Sequence, residues 1–240
     1  MLPYFYNQNI EISSKLLTLD EPTSKHCVQV LRMVEGDQLL ITNGNGIKAH
    51  CTITMANRKH CQVQVMEITF TDPRPVGLSV AIAFTKNNSR NEWFLEKATE
   101  LGIEHIYPIV TARTERERLK PERLEQILIA AMLQSQQVYL PKLHEPMPLK
   151  RFLADPAVTA SPQKFIAHCI DTDERNEMIK TIIPQQDLLI LIGPEGDFTQ
   201  EEVALCKLNN YLPIRLGNNR LRTETAAIYS CVAFNALNYG

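Results

Sequence analysis

The feature that most constrains this chain is a change of hydrophobic period at residues 72–77. Before it, apolar and polar residues mostly alternate, as where Val63 and Val65 stand between Gln62, Gln64 and Met66. Period two puts one set of side chains on one face of a strand. It predicts strands over Gln38–Thr42, Ile47–Met55 and Cys61–Phe70, with Asn43-Gly44-Asn45-Gly46 as a hairpin signal between the first two. One short helix is expected over Ser24–Arg32. The segment Asp72-Pro73-Arg74-Pro75-Val76-Gly77 breaks both strand and helix periods, so it marks a boundary.

Beyond Leu78, strands and helices alternate. Strands are predicted over Leu78–Phe84, His105–Val110, Lys164–Cys169, Asp187–Ile192 and Leu212–Leu216. Helices are predicted over Ser89–Leu101, from Pro121 to about Val138, near Asp173–Ile183, over Thr199–Leu208 with a Thr199-x-x-Glu202 capping box, and over Thr223–Asn238. The expected class is α/β: a small β-rich domain over residues 1–72, then a parallel sheet covered by helices over residues 73–240.

Composition excludes several alternatives. The 44% hydrophobic and 22% charged content is that of a globular chain. No apolar run reaches the ~18 residues of a membrane span. The opening MLPYFYNQNIEI has no basic start before an apolar stretch, so no export signal and a cytoplasmic location are expected. The six cysteines form no C-x-x-C pair, and reduced thiols are expected. Four follow a histidine: His26-Cys27, His50-Cys51, His60-Cys61 and His168-Cys169. Zinc spacings are missing, so the pairs read as inward cysteines and outward histidines on alternating strands, and no metal is expected. Trp93 reads as a core residue, and the mixed charges from Arg113 to Arg123 as a solvated segment. The helix containing Ile127–Leu133 and the closing helix are apolar nearly all round, which suits burial or a subunit interface.

Glycine is scarce, 9 residues where average usage gives about 17. Three of them lie in two loops that leave the carboxyl ends of buried strands. One runs Gly193-Pro194-Glu195-Gly196-Asp197-Phe198. The other is Gly217-Asn218-Asn219-Arg220-Leu221-Arg222-Thr223-Glu224-Thr225. Open α/β sheets bind ligands at that edge, and glycine lets a ligand approach bare backbone. Thr223 and Glu224 also read as a helix N-cap and a first-turn acid. Between Glu202 and Glu224 there is no acid, while Lys207, Arg215, Arg220 and Arg222 are positive, which suits a phosphate-bearing partner. Dinucleotide and P-loop glycine motifs are missing.

At these residues the sequence resembles the uracil-N3 methyltransferases of 16S ribosomal RNA, the RsmE type. Leu191-Ile192-Gly193-Pro194-Glu195-Gly196, Leu216-Gly217 and Leu221-Arg222-Thr223-Glu224-Thr225-Ala226 carry the likeness. Val30-Leu31-Arg32-Met33 with Gly36-Asp37, Lys97–Gly102, and Gln134-Ser135 with Pro141 extend it. The resemblance implies a PUA-like β-barrel that binds RNA, then a SPOUT domain with a deep trefoil knot, assembled as a homodimer. It implies S-adenosylmethionine as cofactor, held by His168, Leu191, Ile192, Gly193, Glu195, Gly196, Leu216, Gly217, Leu221, Arg222, Thr223 and Thr225. It implies methylation of uridine N3 in 16S rRNA of the small ribosomal subunit. Arg222 and Arg220 are candidates to stabilise the uracil anion, with Glu224 or Glu195 as proton acceptor. Arg32, Lys48 and Arg220 are candidate RNA contacts. The chain departs from the family pattern at Asp197, where a second glycine is usual. It departs again at Asn219 and Arg220, in place of arginine and isoleucine, and at Gln137, in place of arginine. A knotted RNA-binding protein without catalysis, and a SPOUT enzyme acting on tRNA, are the alternative readings.

Overall fold

The computed structural model describes residues 2–115, 120–170 and 175–240. By their packing these residues form two units, one of residues 1–73 with 132–140, the other of 74–131 with 141–240.

The first unit is a five-stranded sheet. Its strands are β1 (Tyr4–Tyr6), β2 (Leu16–Thr18), β3 (Gln38–Thr42), β4 (Ile47–Met55) and β5 (Gln62–Phe70), in the order β1-β3-β4-β5-β2. Only β1 pairs in parallel, with β3; the other neighbours are antiparallel. The β3–β4 turn uses Gly44 at φ +69 and Gly46 at φ +88, a backbone that L-residues rarely adopt. On β4 the alternation is complete from Ile47 to Ile53, and Ile47, Ala49, Cys51 and Ile53 point into a core with Leu39, Ile41 and Val63.

The helix of this unit starts earlier than its apolar pattern suggests. Asp20 accepts from Thr23 N at 2.8 Å and caps α1 (Glu21–Lys25), which continues as a π-helical turn, His26–Val30. Arg32 then takes φ +56 and ends it. Sequence reading missed β1 and β2, whose three residues each are too short to display a period.

The second unit is an eight-stranded sheet in which every pairing is parallel. Its main strands are β6 (Leu78–Ile82), β7 (His105–Val110), β10 (Gln163–Ala167), β12 (Leu188–Ile192) and β13 (Leu212–Arg215). Two-residue strands β8 (Lys142–Leu143), β9 (Met147–Pro148) and β11 (Asn176–Glu177) line its edges. The order is β11-β13-β10-β12-β6-β7-β8, with β9 also on β7. All five residues of β12 are buried, because the strand has neighbours on both edges and cover on both faces.

The helices are α2 (Asn88–Glu100), α3 (Pro121–Gln134), α4 (Leu149–Leu153), α5 (Pro156–Thr159), α6 (Met178–Thr181), α7 (Gln200–Leu208) and α8 (Thr223–Asn238). The helix expected near Asp173–Ile183 is reduced to α6. Residues 173 and 174 lie outside the described residues, and Asn176–Glu177 pair with β13 instead. The helix expected to reach Val138 stops at Gln134. Gln136 takes φ +58, and Gln136 N and Gln137 N bond to Leu133 O and Met132 O. That is a left-handed helix end built without glycine. Trp93, expected in the core, is 43% exposed, because the buried stripe of α2 is Asn91, Phe94, Leu95, Ala98 and Thr99.

Candidate functional site

Three neighbouring strands end together. In the parallel sheet, β13, β10 and β12 lie side by side, so their carboxyl ends share one edge. The loops that leave them enclose a cavity of about 670 Å³. This is the edge at which α/β sheets hold ligands.

Most of the sequence candidates meet here. His168, Ile192, Gly193, Glu195, Leu216, Gly217, Arg220, Leu221, Arg222 and Thr223 all line the cavity. The two glycine loops are tied to each other. Thr223 Oγ1 donates to Gly193 O at 3.0 Å, and Arg220 Nη2 to Glu195 O at 3.4 Å. Thr223 therefore acts across the loops rather than as a helix cap; the N-cap of α8 is Arg222, without a side-chain bond. Gly193 abuts Phe198, whose ring lies 3.1 Å from where a Cβ would stand. Gly217 has φ +90, and a Cβ there would meet nothing within 4 Å, so its bare backbone faces open space.

Of the candidates in this unit, four stand outside the lining. Leu191 is fully buried in the core beneath the cavity, with Ala81, Phe198 and Tyr211. Gly196 faces the stem of Arg113, whose Nη1 donates to Gly196 O at 2.6 Å. Arg113 thus buttresses the first glycine loop, where the sequence suggested only a solvated segment. Thr225 is exposed on the first turn of α8. Glu224 is 8% exposed and faces Arg90 of α2, with Oε1 3.6 Å from its Nε. Its Oε2 has no hydrogen-bond partner among the described residues.

The positive field is weaker than the sequence implied. Arg215 Nη2 bonds to Glu177 Oε1 at 2.6 Å, so one of the four cations already has a partner on β11. That acid is remote in sequence and reaches Arg215 only because β11 pairs with β13.

The histidine–cysteine pairs resolve in two ways. Cys27, Cys51 and Cys61 are buried, with His26 and His60 exposed and His50 half-buried; strand alternation explains this only for His50-Cys51 on β4, since His26-Cys27 lies in the π-helical turn and His60-Cys61 precedes β5. Burial pushes the Cys27 thiol up to about 12 and the Cys51 thiol up to about 11. The fourth pair inverts. Cys169 is exposed, while His168 is 5% exposed and lines the cavity. Both ring nitrogens of His168 are buried, with the Ile170 backbone as a hydrogen-bonding neighbour. Burial holds its pKa below the usual histidine value, so the ring is neutral at pH 7. Asp197, Cys169 and Arg175 also line the cavity, and sequence reasoning missed all three as site residues. Their only signal was proximity to Gly196 and His168. No group of three metal-ligating side chains occurs among the described residues.

In the first unit, Lys48 lines a groove of about 530 Å³ with Tyr4, Phe5, His26, Leu31 and Leu40. Arg32 is exposed at its strained turn and does not line the groove.

Comparison with known proteins places these features in context. A family model described as an RNA methyltransferase domain matches residues 72–235, and one described as an RNA methyltransferase PUA domain matches residues 19–66. The ribosomal RNA small subunit methyltransferase E of Bacillus subtilis is 28% identical, over 89% of this chain and 86% of the relative. That of Synechocystis is 26% identical, over 95% and 75%. A Porphyromonas gingivalis structure described as a probable rRNA-methyltransferase superposes with a TM-score of 0.89 at 38% identity, covering 99% of this chain and 98% of the other. A Legionella pneumophila methyltransferase structure with bound cofactor SAM superposes at 0.87, with 27% identity and the same coverage.

Proposed function

Since the chain belongs to the RNA methyltransferase family, with a PUA-like unit before a parallel α/β unit, we propose that it methylates uridine N3 in 16S rRNA of the small ribosomal subunit, using S-adenosylmethionine. The observation that carries this reading is the cavity itself. It sits at three adjacent strand ends inside the matched segment, walled by both glycine loops and by His168. The residues fit such a cofactor. Gly217 offers backbone with room beside it, and Ile192 and Leu221 offer apolar walls.

We assign residues 1–72 to RNA binding and residues 73–240 to methyl transfer. When bound, the cofactor supplies an electrophilic methyl group. The protein must align the uridine and stabilise charge as N3 loses its proton. Arg222 and Arg220, both exposed at the cavity, are placed to stabilise a uracil anion at O2 or O4. Glu195, exposed at the same mouth, is the carboxylate available to take the N3 proton, since Glu224 is turned toward Arg90. Glu224 and Arg90 join α8 to α2 beside the site. Arg32 and Lys48 are the first unit's candidate RNA contacts. The trefoil knot suits the sheet order, because β12 is inserted between β6 and β10, both earlier in the chain. A homodimer suits the apolar residues left exposed on α2 and α8, Trp93 and Val232. A cytoplasmic location suits an rRNA substrate; no helix among the described residues is long and apolar enough to cross a membrane.

The test is transfer of labelled methyl from S-adenosylmethionine to small ribosomal subunits that lack the mark, with the product mapped by mass spectrometry. Label on N3 of a uridine in 16S rRNA is expected. Label on tRNA alone, or cofactor binding without turnover on any ribosomal substrate, overturns the reading.

A further inference from the structure

Asp197 has no role in the methyl transfer described above, yet it occupies the most constrained backbone position of the cavity wall. Its φ is +62, in the left-handed region where glycine is the least strained residue. A side chain kept there needs a compensating interaction. Asp197 has two. Its Oδ1 accepts from Phe198 N at 2.8 Å, within its own loop. Its Oδ2 accepts from Cys169 N at 2.7 Å, on the loop that leaves β10, 28 residues earlier.

The second bond joins two strand exits. Cys169 N belongs to the peptide that follows His168, and His168 O on that peptide accepts from Arg175 Nη1 at 2.9 Å. Both polar groups of the peptide are therefore held, one by a carboxylate and one by a guanidinium. His168, whose backbone is part of this pinned peptide, belongs to the cavity wall. The opposite face of the Asp197 loop is also held, through Arg113 on Gly196 O and through Phe198 in the core. Asp197 thus connects a braced loop to the shoulder that carries His168.

We propose that Asp197 is a positioning residue of the cofactor pocket, clamping the His168–Cys169 peptide to the first glycine loop so that the two strand exits hold the shape of the pocket wall. Glycine at this position adopts the backbone freely but has no oxygen to reach Cys169 N. Asparagine tolerates the same φ but offers one acceptor oxygen where the carboxylate offers two. The proposal rests on reading this cavity as the site of S-adenosylmethionine.

The experiment titrates S-adenosylmethionine into the wild type, Asp197→Gly and Asp197→Asn by calorimetry. Steady-state kinetics on small ribosomal subunits and thermal melts follow on the same proteins. Loss of one charge-assisted hydrogen bond from the pocket wall weakens cofactor binding about tenfold in Asp197→Gly. The expected signature is a KM for S-adenosylmethionine raised by that factor, with kcat and the KM for RNA within about twofold of wild type. Asp197→Asn falls between the two. A cooperatively folding Asp197→Gly that binds the cofactor as tightly as wild type overturns the proposal. Where Asp197→Gly does not fold, an Asp197→Asn with wild-type affinity overturns it. A wild type that binds no cofactor overturns the reading of the cavity, and this proposal with it.

Discussion

Two histidines on the far side of the sheet show how placement changes chemistry at a single residue. His105 on β7 and His144 after β8 approach with Nδ1 and Nε2 3.1 Å apart, and Tyr107 stacks on His144 at 3.9 Å. Burial, and then the neighbouring His105 and Lys142, hold the His144 pKa down at about 4. The unfolded chain therefore takes up a proton near pH 6.5 that the folded chain refuses until about pH 4. Stability is at its plateau above pH 6.5 and falls as the pH drops toward 4. Discounted for solvent screening at this half-buried group, the loss is about 1 kcal/mol. In His144→Phe, which keeps a ring on Tyr107, the slope of Tm against pH over this window is expected to flatten, as measured by calorimetry. The cavity depends on the same kind of decision. The dipeptide at 168–169 is spelled like His50-Cys51 on β4, but its strand has ended at Ala167, so alternation no longer sets which side chain turns inward.

Element boundaries follow bonds at their ends more than the apolar pattern within them. Thr199 and Glu202 close the predicted capping box of α7, with Thr199 N to Glu202 Oε2 at 2.9 Å and Glu202 N to Thr199 Oγ1 at 3.2 Å. Glu202 Oε1 also accepts from Ala112 N at 2.8 Å, so the cap holds the loop after β7. Thr199→Ala removes one of these bonds and is expected to cost about 1 kcal/mol, or a Tm lower by about 2–4 °C. Three helices end on a left-handed residue: α2 at Gly102, α3 beyond Gln134 at Gln136, and α7 beyond Leu208 at Asn210. The first was visible as glycine and the third is a residue type that tolerates this backbone. Glutamine announces nothing, so the predicted end of α3 ran four residues long.

At the scale of the whole molecule, the change of period at residues 72–77 and the order of strands are separate facts. Alternation of strand and helix after Leu78 predicts a parallel sheet but not its order. The order β13-β10-β12-β6 places three loop-bearing strand ends at one edge, and that is what gathers His168, the Gly193 loop and the Gly217 loop. The same packing leaves Val232 of α8 48% exposed on a helix that is otherwise mostly apolar. The proposed homodimer is expected to show twice the single-chain mass by light scattering after gel filtration. Val232→Glu places a charge on that face and is expected to shift the population to single chains with the helical content retained. A wild type that elutes as a single chain at micromolar concentration excludes the dimer.

By itself, the sequence determined the two-part organisation, most strands and helices, the capping box and the two glycine loops, since these depend on local period, turn chemistry and backbone freedom. Only the tertiary structure decided that Glu224 faces Arg90 and that Glu177 neutralises Arg215. It alone showed Arg113 supporting Gly196, and Asp197 reaching Cys169. Each of those contacts joins residues that are far apart in the chain. A side chain's direction toward such a partner is set by the sheet order and by loop closure, neither of which leaves a period to read.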